Sequence, residues 1–345
     1  MIWFQRKQIR QALRVSITLA GIFAFAFLSA SPALAQPGTP PSPLDPKGPN
    51  SAAIATLFNT VLVIAVVVFV VVEGLIVFSA FRFRRRDNTE PKQIHGNTKF
   101  EIAWTLVPVA IVVTLFVLTV QTTQTLNTKS SGDTLNVKVI GHQWWWEFQY
   151  PDLGITTATD LVIPAGKVVN LDITAVDVIH SFWIPQLNGK TDAIPGRVNT
   201  SWLKADQPGT FVGQCAELCG PSHANMRLEV IAKDQAGFDA WVANQTQNPA
   251  PTTGDAAKGE QFFLGGACIG CHTINGTTAN GKVGPNLTHV GSRDTIAGGL
   301  LPNTIGNLRR WLANPPGLKP GSLMPNLNLS ATDIDALVAY LQSLQ

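Results

Sequence analysis

The chain has 345 residues, of which 45% are apolar and only 14% charged, with a formal net charge of +3. So apolar a composition excludes a disordered chain. So few charges, against ~25% in ordinary soluble domains, argue against a plain soluble enzyme. Residues 1–121 carry 11 basic and 5 acidic side chains, and residues 122–345 carry 14 and 17, so the basic excess sits in the N-terminal third. That asymmetry suits a membrane-associated segment and gives no sign of a nucleic-acid-binding surface. The length allows two domains besides membrane segments.

Arg6, Lys7, Arg10 and Arg14 precede an apolar stretch from Val15 to Ala30, and Ala33-Leu34-Ala35 forms an A-x-A cleavage signal. Residues 1–35 therefore read as a secretory signal peptide, with an uncleaved anchor as the alternative. Either way the chain is exported. Six prolines between residues 36 and 50 predict an extended linker over 36–53.

Two spans follow within 54–121. Ile54–Phe81 contains one charge, Glu73. As a helix it reaches ~42 Å, more than the ~30 Å hydrocarbon layer. The second span, 102–121, is uncharged and includes Pro108, which can kink it. Arg82, Arg84, Arg85 and Arg86 lie between the spans, so the positive-inside rule makes that hairpin cytoplasmic. Everything after about residue 122 is then extracytoplasmic. Glu101 stands at the cytoplasmic mouth of the second span, either as an interfacial anchor or as a proton entrance.

Residues 122–243 read as an all-β sandwich or barrel. Short strand-like runs such as Leu135–Ile140, Val168–Thr174, Thr210–Gly213 and Arg227–Ile231 alternate with Gly and Pro turns. Cys215, Cys219, His223 and Met226 crowd one loop, and His180 lies upstream. Two thiolates, two imidazoles and a thioether are soft or borderline ligands, which points to copper. Two thiolates on one tight loop can bridge two copper ions, each terminated by one His. The weak ligands are Met226 and a backbone carbonyl. With no open position, such a site suits electron transfer. A Cys215–Cys219 disulfide and a structural zinc are the alternatives. In Gly141-His142-Gln143-Trp144-Trp145-Trp146, strand spacing puts Trp144 and Trp146 on one side, which reads first as core.

Residues 244–256 form a polar linker with a reach of roughly 20 Å. Residues 257–345 follow as an all-α domain. Cys268-Ile-Gly-Cys271-His272 is a C-x-x-C-H haem-attachment motif. The two Cys form thioethers and His272 is the proximal ligand. Met324 is the only later Met and the natural sixth ligand, with His289 as the alternative. Gly284-Pro285-Asn286-Leu287 can place a carbonyl on the His272 ring N–H. The spacing predicts a closing helix over Asp333–Leu344 with Ser330 as N-cap, and Leu337, Tyr340, Leu341 and Leu344 on its buried face.

Together the two-span hairpin, GHQW, TDAIPGR, C-x-E-x-C-G-x-x-H-x-x-M and C-x-x-C-H with a late Met-Pro resemble subunit II of haem–copper cytochrome c oxidases, in the form with a fused cytochrome c domain. The resemblance implies a multi-domain membrane protein: a transmembrane hairpin, a cupredoxin-like sandwich and a class I cytochrome c domain. It implies a binuclear copper A held by His180, Cys215, the Glu217 carbonyl, Cys219, His223 and Met226, and one covalent haem c. It also implies magnesium at the Glu217 side chain, Trp144 as the point where electrons enter, and Glu101 at the mouth of a proton pathway in subunit I. The expected partners are subunit I, the other oxidase subunits and a cytochrome c donor. The expected location is a bacterial cell membrane with the folded domains on its periplasmic side. Quinol oxidase, nitric oxide reductase-type and copper-delivery roles are the rivals; the intact copper ligand set argues against the first, and a covalent haem against the last.

Overall fold

The computed structural model describes residues 42–84, 93, 96–128 and 132–345. The predicted signal peptide, residues 36–41 of the Pro-rich linker, and Arg85 and Arg86 of the basic hairpin lie outside the described residues.

Helix α1 runs over Pro49–Arg82 and α2 over Thr98–Asn127. Both are long and apolar enough to cross a membrane, and the chain itself buries neither apolar stretch. The observed helices correct the predicted bounds at both ends. α1 starts inside the predicted linker because Pro49 occupies the first turn, where a missing N–H is no loss. Its extra turn is held by the β domain: Ser51 donates to the Gln186 carbonyl at 2.6 Å and Asn50 to the Trp202 carbonyl at 2.6 Å. α2 begins at an Asn97 cap that accepts the Lys99 N–H at 3.2 Å. The Glu101 carboxylate accepts the Asn97 N–H at 3.3 Å and so closes the first turn. At the far end, the Trp202 indole donates to the Thr125 carbonyl at 3.0 Å. Both helices are thereby tied to the domain they carry.

The β domain comprises β1 (Thr134–His142), β2 (Trp145–Tyr150), β3 (Ile155–Ala158), β4 (Asp160–Pro164) and β5 (Val168–Ala175). It continues with β6 (His180–Trp183), β7 (Thr191–Ala193), β8 (Asn199–Leu203), β9 (Gly209–Cys215) and β10 (Arg227–Lys233). One sheet has the order β3-β2-β1-β5-β8 and the other β4-β10-β9-β6-β7. The pairs β1–β5 and β4–β10 are parallel; the rest are antiparallel. Burial alternates with period two along β2 and β10, so each strand turns one face inward. Trp146, Phe148, Tyr150, Phe182 and Leu171 fill the space between the sheets. The Tyr150 hydroxyl serves both backbone groups of Val162, at 2.9 Å each, so its burial leaves no polar group unpaired. Helix α3 (Gln235–Gln245) covers one end, with Trp241 against Tyr150.

The C-terminal domain is helical: α4 (Gly254–Gly265), α5 (Ile305–Ala313), α6 (Pro315–Leu318) and α7 (Ala331–Ser343), with a small ribbon of β11 (Thr295–Ile296) and β12 (Leu301–Pro302). Ser330 caps α7 by accepting the Asp333 N–H at 3.1 Å. The predicted face of α7 is buried against α4, where Phe263 meets Tyr340 edge-on at 5.7 Å. The extended connection is 246–253, shorter than the predicted 244–256, because α3 runs through Gln245 and α4 starts at Gly254.

The helical domain rests on the β domain. The Arg227 N–H donates to the Gly298 carbonyl at 2.9 Å. Asp160, buried at the start of β4, accepts the Asp294 N–H at 3.2 Å and the Thr295 hydroxyl at 3.4 Å. Burial pushes the Asp160 carboxyl up to about 7, with the Arg293 charge opposing and Glu229 and Asp294 adding to the rise. A carboxyl raised by folding favours the folded state when protonated. Its contribution is present below about pH 4 and is lost as the pH rises to about 7. Asp160→Asn, neutral throughout, removes that dependence. The thermal midpoint of the wild type relative to the variant is expected to rise as the pH falls from about 7 to about 5, by calorimetry.

Candidate copper and haem sites

Cys215 ends β9 opposite Phe182 of β6, which brings it beside His180 at the start of the same strand. Its Sγ lies 3.9 Å from His180 Nδ1, 3.3 Å from the Glu217 carbonyl oxygen and 3.7 Å from Cys219 Sγ. Cys219 Sγ in turn lies 3.6 Å from His223 Nδ1 and 4.0 Å from Met226 Sδ. The six predicted ligands are thus gathered in two halves. His180 and the Glu217 carbonyl flank one sulfur; His223 and Met226 flank the other.

The thiols are free, and 3.7 Å is far beyond the ~2.05 Å of an S–S bond, so there is no Cys215–Cys219 disulfide. One tetrahedral zinc would leave part of this donor set idle, whereas two bridged coppers use all of it. The donor set fits a copper pair. In the metal-free pair, the Cys219 hydrogen bond holds Cys215 well below the usual thiol value, and Cys219 is pushed up in return. A thiolate is therefore already favoured where a metal would bind.

Asp177 is a site residue that the sequence reading missed. Its carboxylate meets His180 Nε2 at 2.8 Å, which turns Nδ1 toward the sulfurs. Burial works against a charged His180, but the Asp177 bond and the Cys215 contact outweigh it and raise the imidazole. Its signal was the D-x-x-H spacing before β6. The same carboxylate accepts the Gln143 N–H at 2.6 Å, and the Gln143 amide donates to the Cys219 carbonyl at 2.7 Å. The Glu217 carboxylate points elsewhere, toward Lys190 Nζ at 3.8 Å, and is half exposed.

A cavity in the helical domain is lined by Cys268, Cys271, His272 and Met324. His272 Nδ1 donates to the Pro285 carbonyl at 2.9 Å, the partner predicted from the Gly284–Leu287 stretch. That bond sets the tautomer and leaves Nε2 as a free lone pair. Burial lowers His272, so the ring is neutral at neutral pH, as an iron ligand must be. Gly284 is required by close approach: a Cβ there would lie 2.5 Å from His272 Cε1. Arg293 is a partly buried residue of the cavity lining, and its buried Nε has no partner among the described residues. An orphaned guanidinium N–H facing an apolar cavity suits a macrocycle that carries carboxylates. The pocket fits a haem. His289 does not line it; its Nδ1 donates to the Gln345 carbonyl at 2.7 Å.

Trp144 connects the two sites. It lies in the turn between β1 and β2 and is 6% exposed. Its indole N–H donates to the Cys219 carbonyl at 3.0 Å, and the residue lines the haem-type cavity. Trp146, read as core, is sandwich core, edge-on to Phe182 at 5.3 Å. Lys319 was also missed: it is 3% exposed and donates to the Trp144 and Ala297 carbonyls at 2.6 Å each.

Three family models match: the cytochrome c oxidase subunit II transmembrane domain over 45–121, its periplasmic domain over 154–233, and cytochrome c over 256–345. The chain is 42% identical to cytochrome c oxidase subunit 2 of Alkalihalophilus pseudofirmus, covering 88% of this chain and 90% of that one. It is 36% identical to the Bacillus subtilis protein of the same name, covering 76% and 80%. Among solved structures, the periplasmic domain of oxidase subunit II from Bradyrhizobium japonicum is 35% identical, covering 34% of this chain and 96% of that one, with a TM-score of 0.33.

Proposed function

This chain belongs to the cytochrome c oxidase subunit II family, and we propose that it is the electron-input subunit, carrying electrons from a cytochrome c by way of a fused haem c and a binuclear copper A to subunit I. It is a membrane-anchored oxidase subunit with a copper-A-type periplasmic domain and a cytochrome c domain. When bound, the two groups would supply one-electron carriers on the way to subunit I.

The observation that carries the reading is the wall shared by the two sites. Trp144 is bonded to the Cys219 backbone on one side and lines the haem cavity on the other. His180, Cys215, Cys219, His223, Met226 and the Glu217 carbonyl would hold the coppers. Cys268 and Cys271 would tether the haem, and His272 and Met324 would serve as its iron ligands. Because the Trp144 indole is covered, a soluble donor has no direct access to it and docks at the cavity rim, where Val283 and Leu323 are exposed. The half-exposed Glu217 carboxylate is available for magnesium at the contact with subunit I. Glu101 would serve the proton-pathway mouth from the first turn of α2. The domains face the periplasm of a bacterial cell membrane, and oxygen is reduced in subunit I.

The test is the metal content and spin signal of the purified oxidase. Two coppers per c-type haem in this subunit, with a mixed-valence multiline signal, are expected. One copper or zinc per haem, without that signal, would remove the copper A assignment.

A further inference from the structure

We propose that Lys319 is a positioning residue for electron transfer between the two sites: from the haem domain it fixes the backbone of Trp144 and so sets the indole in the wall between Cys219 and the haem cavity. The inference rests on the relay reading of Trp144 given above.

Three consecutive residues grip the copper domain at three points. Lys319 Nζ donates to the Trp144 carbonyl, from the copper domain, and to the Ala297 carbonyl, from the haem domain, at 2.6 Å each. The Pro320 carbonyl accepts the Ser222 hydroxyl at 2.6 Å, on the copper loop beside His223. Gly321 lies against the Trp144 ring with φ at +83°; a Cβ there would stand 2.5 Å from the indole Cη2. Met324 follows on the cavity wall. One short segment therefore holds the Trp144 backbone, its ring, the copper loop and the approach to the proposed iron ligand.

The chemistry of Lys319 favours positioning over stability. A buried ammonium pays a desolvation cost, seen here as burial pulling its titration down to about 7. An apolar side chain of similar volume avoids that cost, and such replacements are often neutral or stabilising. What the ammonium adds is direction: it must lie within hydrogen-bond reach of two carbonyls belonging to two domains. A methionine in its place fills the space and leaves the Trp144 carbonyl unbound, so the domains still dock but the indole loses its register.

The experiment uses the whole oxidase carrying Lys319→Met, with Gly321→Ala as a second variant that disturbs the same ring by contact instead of charge. A photoexcited dye reduces the haem c in a flash, and haem reoxidation and copper A reduction are followed optically. Each variant is first checked for an unchanged haem spectrum and an unchanged copper spin signal. The expected result is a haem-to-copper transfer slower than in the wild type in both variants. Unchanged transfer in both variants, with both centres spectrally intact, overturns the role of Lys319 and leaves the electron-input reading standing. Slower transfer accompanied by a lost methionine–iron band also overturns it, because the residue would then act through Met324. Absence of the copper spin signal in the wild type is a failure of the electron-input reading itself.

Discussion

Replacing Cys219 by Ser is expected to drop the copper content of this subunit from two to at most one and to abolish the mixed-valence spin signal. Cys219 Sγ is the junction of the site: it lies 3.7 Å from Cys215 Sγ, 3.6 Å from His223 Nδ1 and 4.0 Å from Met226 Sδ. A serine hydroxyl keeps its proton at neutral pH and cannot bridge as a thiolate does. His223 and Met226 would then face a ligand set missing its shared member. Losing an outer partner of a metal ligand already costs about 10–100-fold in affinity, so losing the bridge costs at least about 100-fold. Cytochrome c oxidation by the complex falls with it, while the c-type haem spectrum stays. Metal analysis, spin resonance and turnover of the purified oxidase check the three parts separately. Retention of two coppers in the variant would show that the sulfur does not bridge.

The haem site offers an equally large effect with an internal control. Met324→Leu conserves volume, so the fold of the loop is expected to survive. The iron then lacks its sixth ligand, binds added carbon monoxide, loses the methionine–iron charge-transfer band and falls in potential. His289→Gln is expected to leave all of these unchanged, since His289 Nδ1 is tied to the Gln345 carbonyl at 2.7 Å and the side chain does not line the cavity. Absorption spectra with and without carbon monoxide, together with a redox titration, separate the two candidates. A spectrum that responds to His289 and not to Met324 would reverse the axial assignment.

Much of this was legible in the chain because the relevant signals are local. The membrane helices follow from uninterrupted apolar runs, and only their ends differ, since residues such as Asn50 and Ser51 are held by partners more than a hundred positions away. The haem motif and the copper loop each lie within twelve residues or fewer, and a loop that short leaves its donors little choice but to converge. Even the carbonyl for His272 was readable, because Pro285 is only thirteen residues downstream. Ser330 and the buried face of α7 obeyed the ordinary helix rules.

By itself, then, the sequence determined the elements and the two clusters of donor side chains, since each depends on residue type and short spacing. Only the tertiary structure decided how the two sites meet. Trp144 and Lys319 are 175 residues apart, and Asp160 and Asp294 are 134 apart. No periodicity or motif links such positions. Trp144 shows this best: strand spacing reads it as core and it is buried in the core cluster, but only the fold shows that the turn before β2 also takes its indole N–H to the copper loop and lays its ring against Gly321 of the haem domain. The physical reason is that a buried lysine, a buried aspartate and a glycine under an indole are specified by the surface docked against them. That surface is assembled only when two separately coded domains come together.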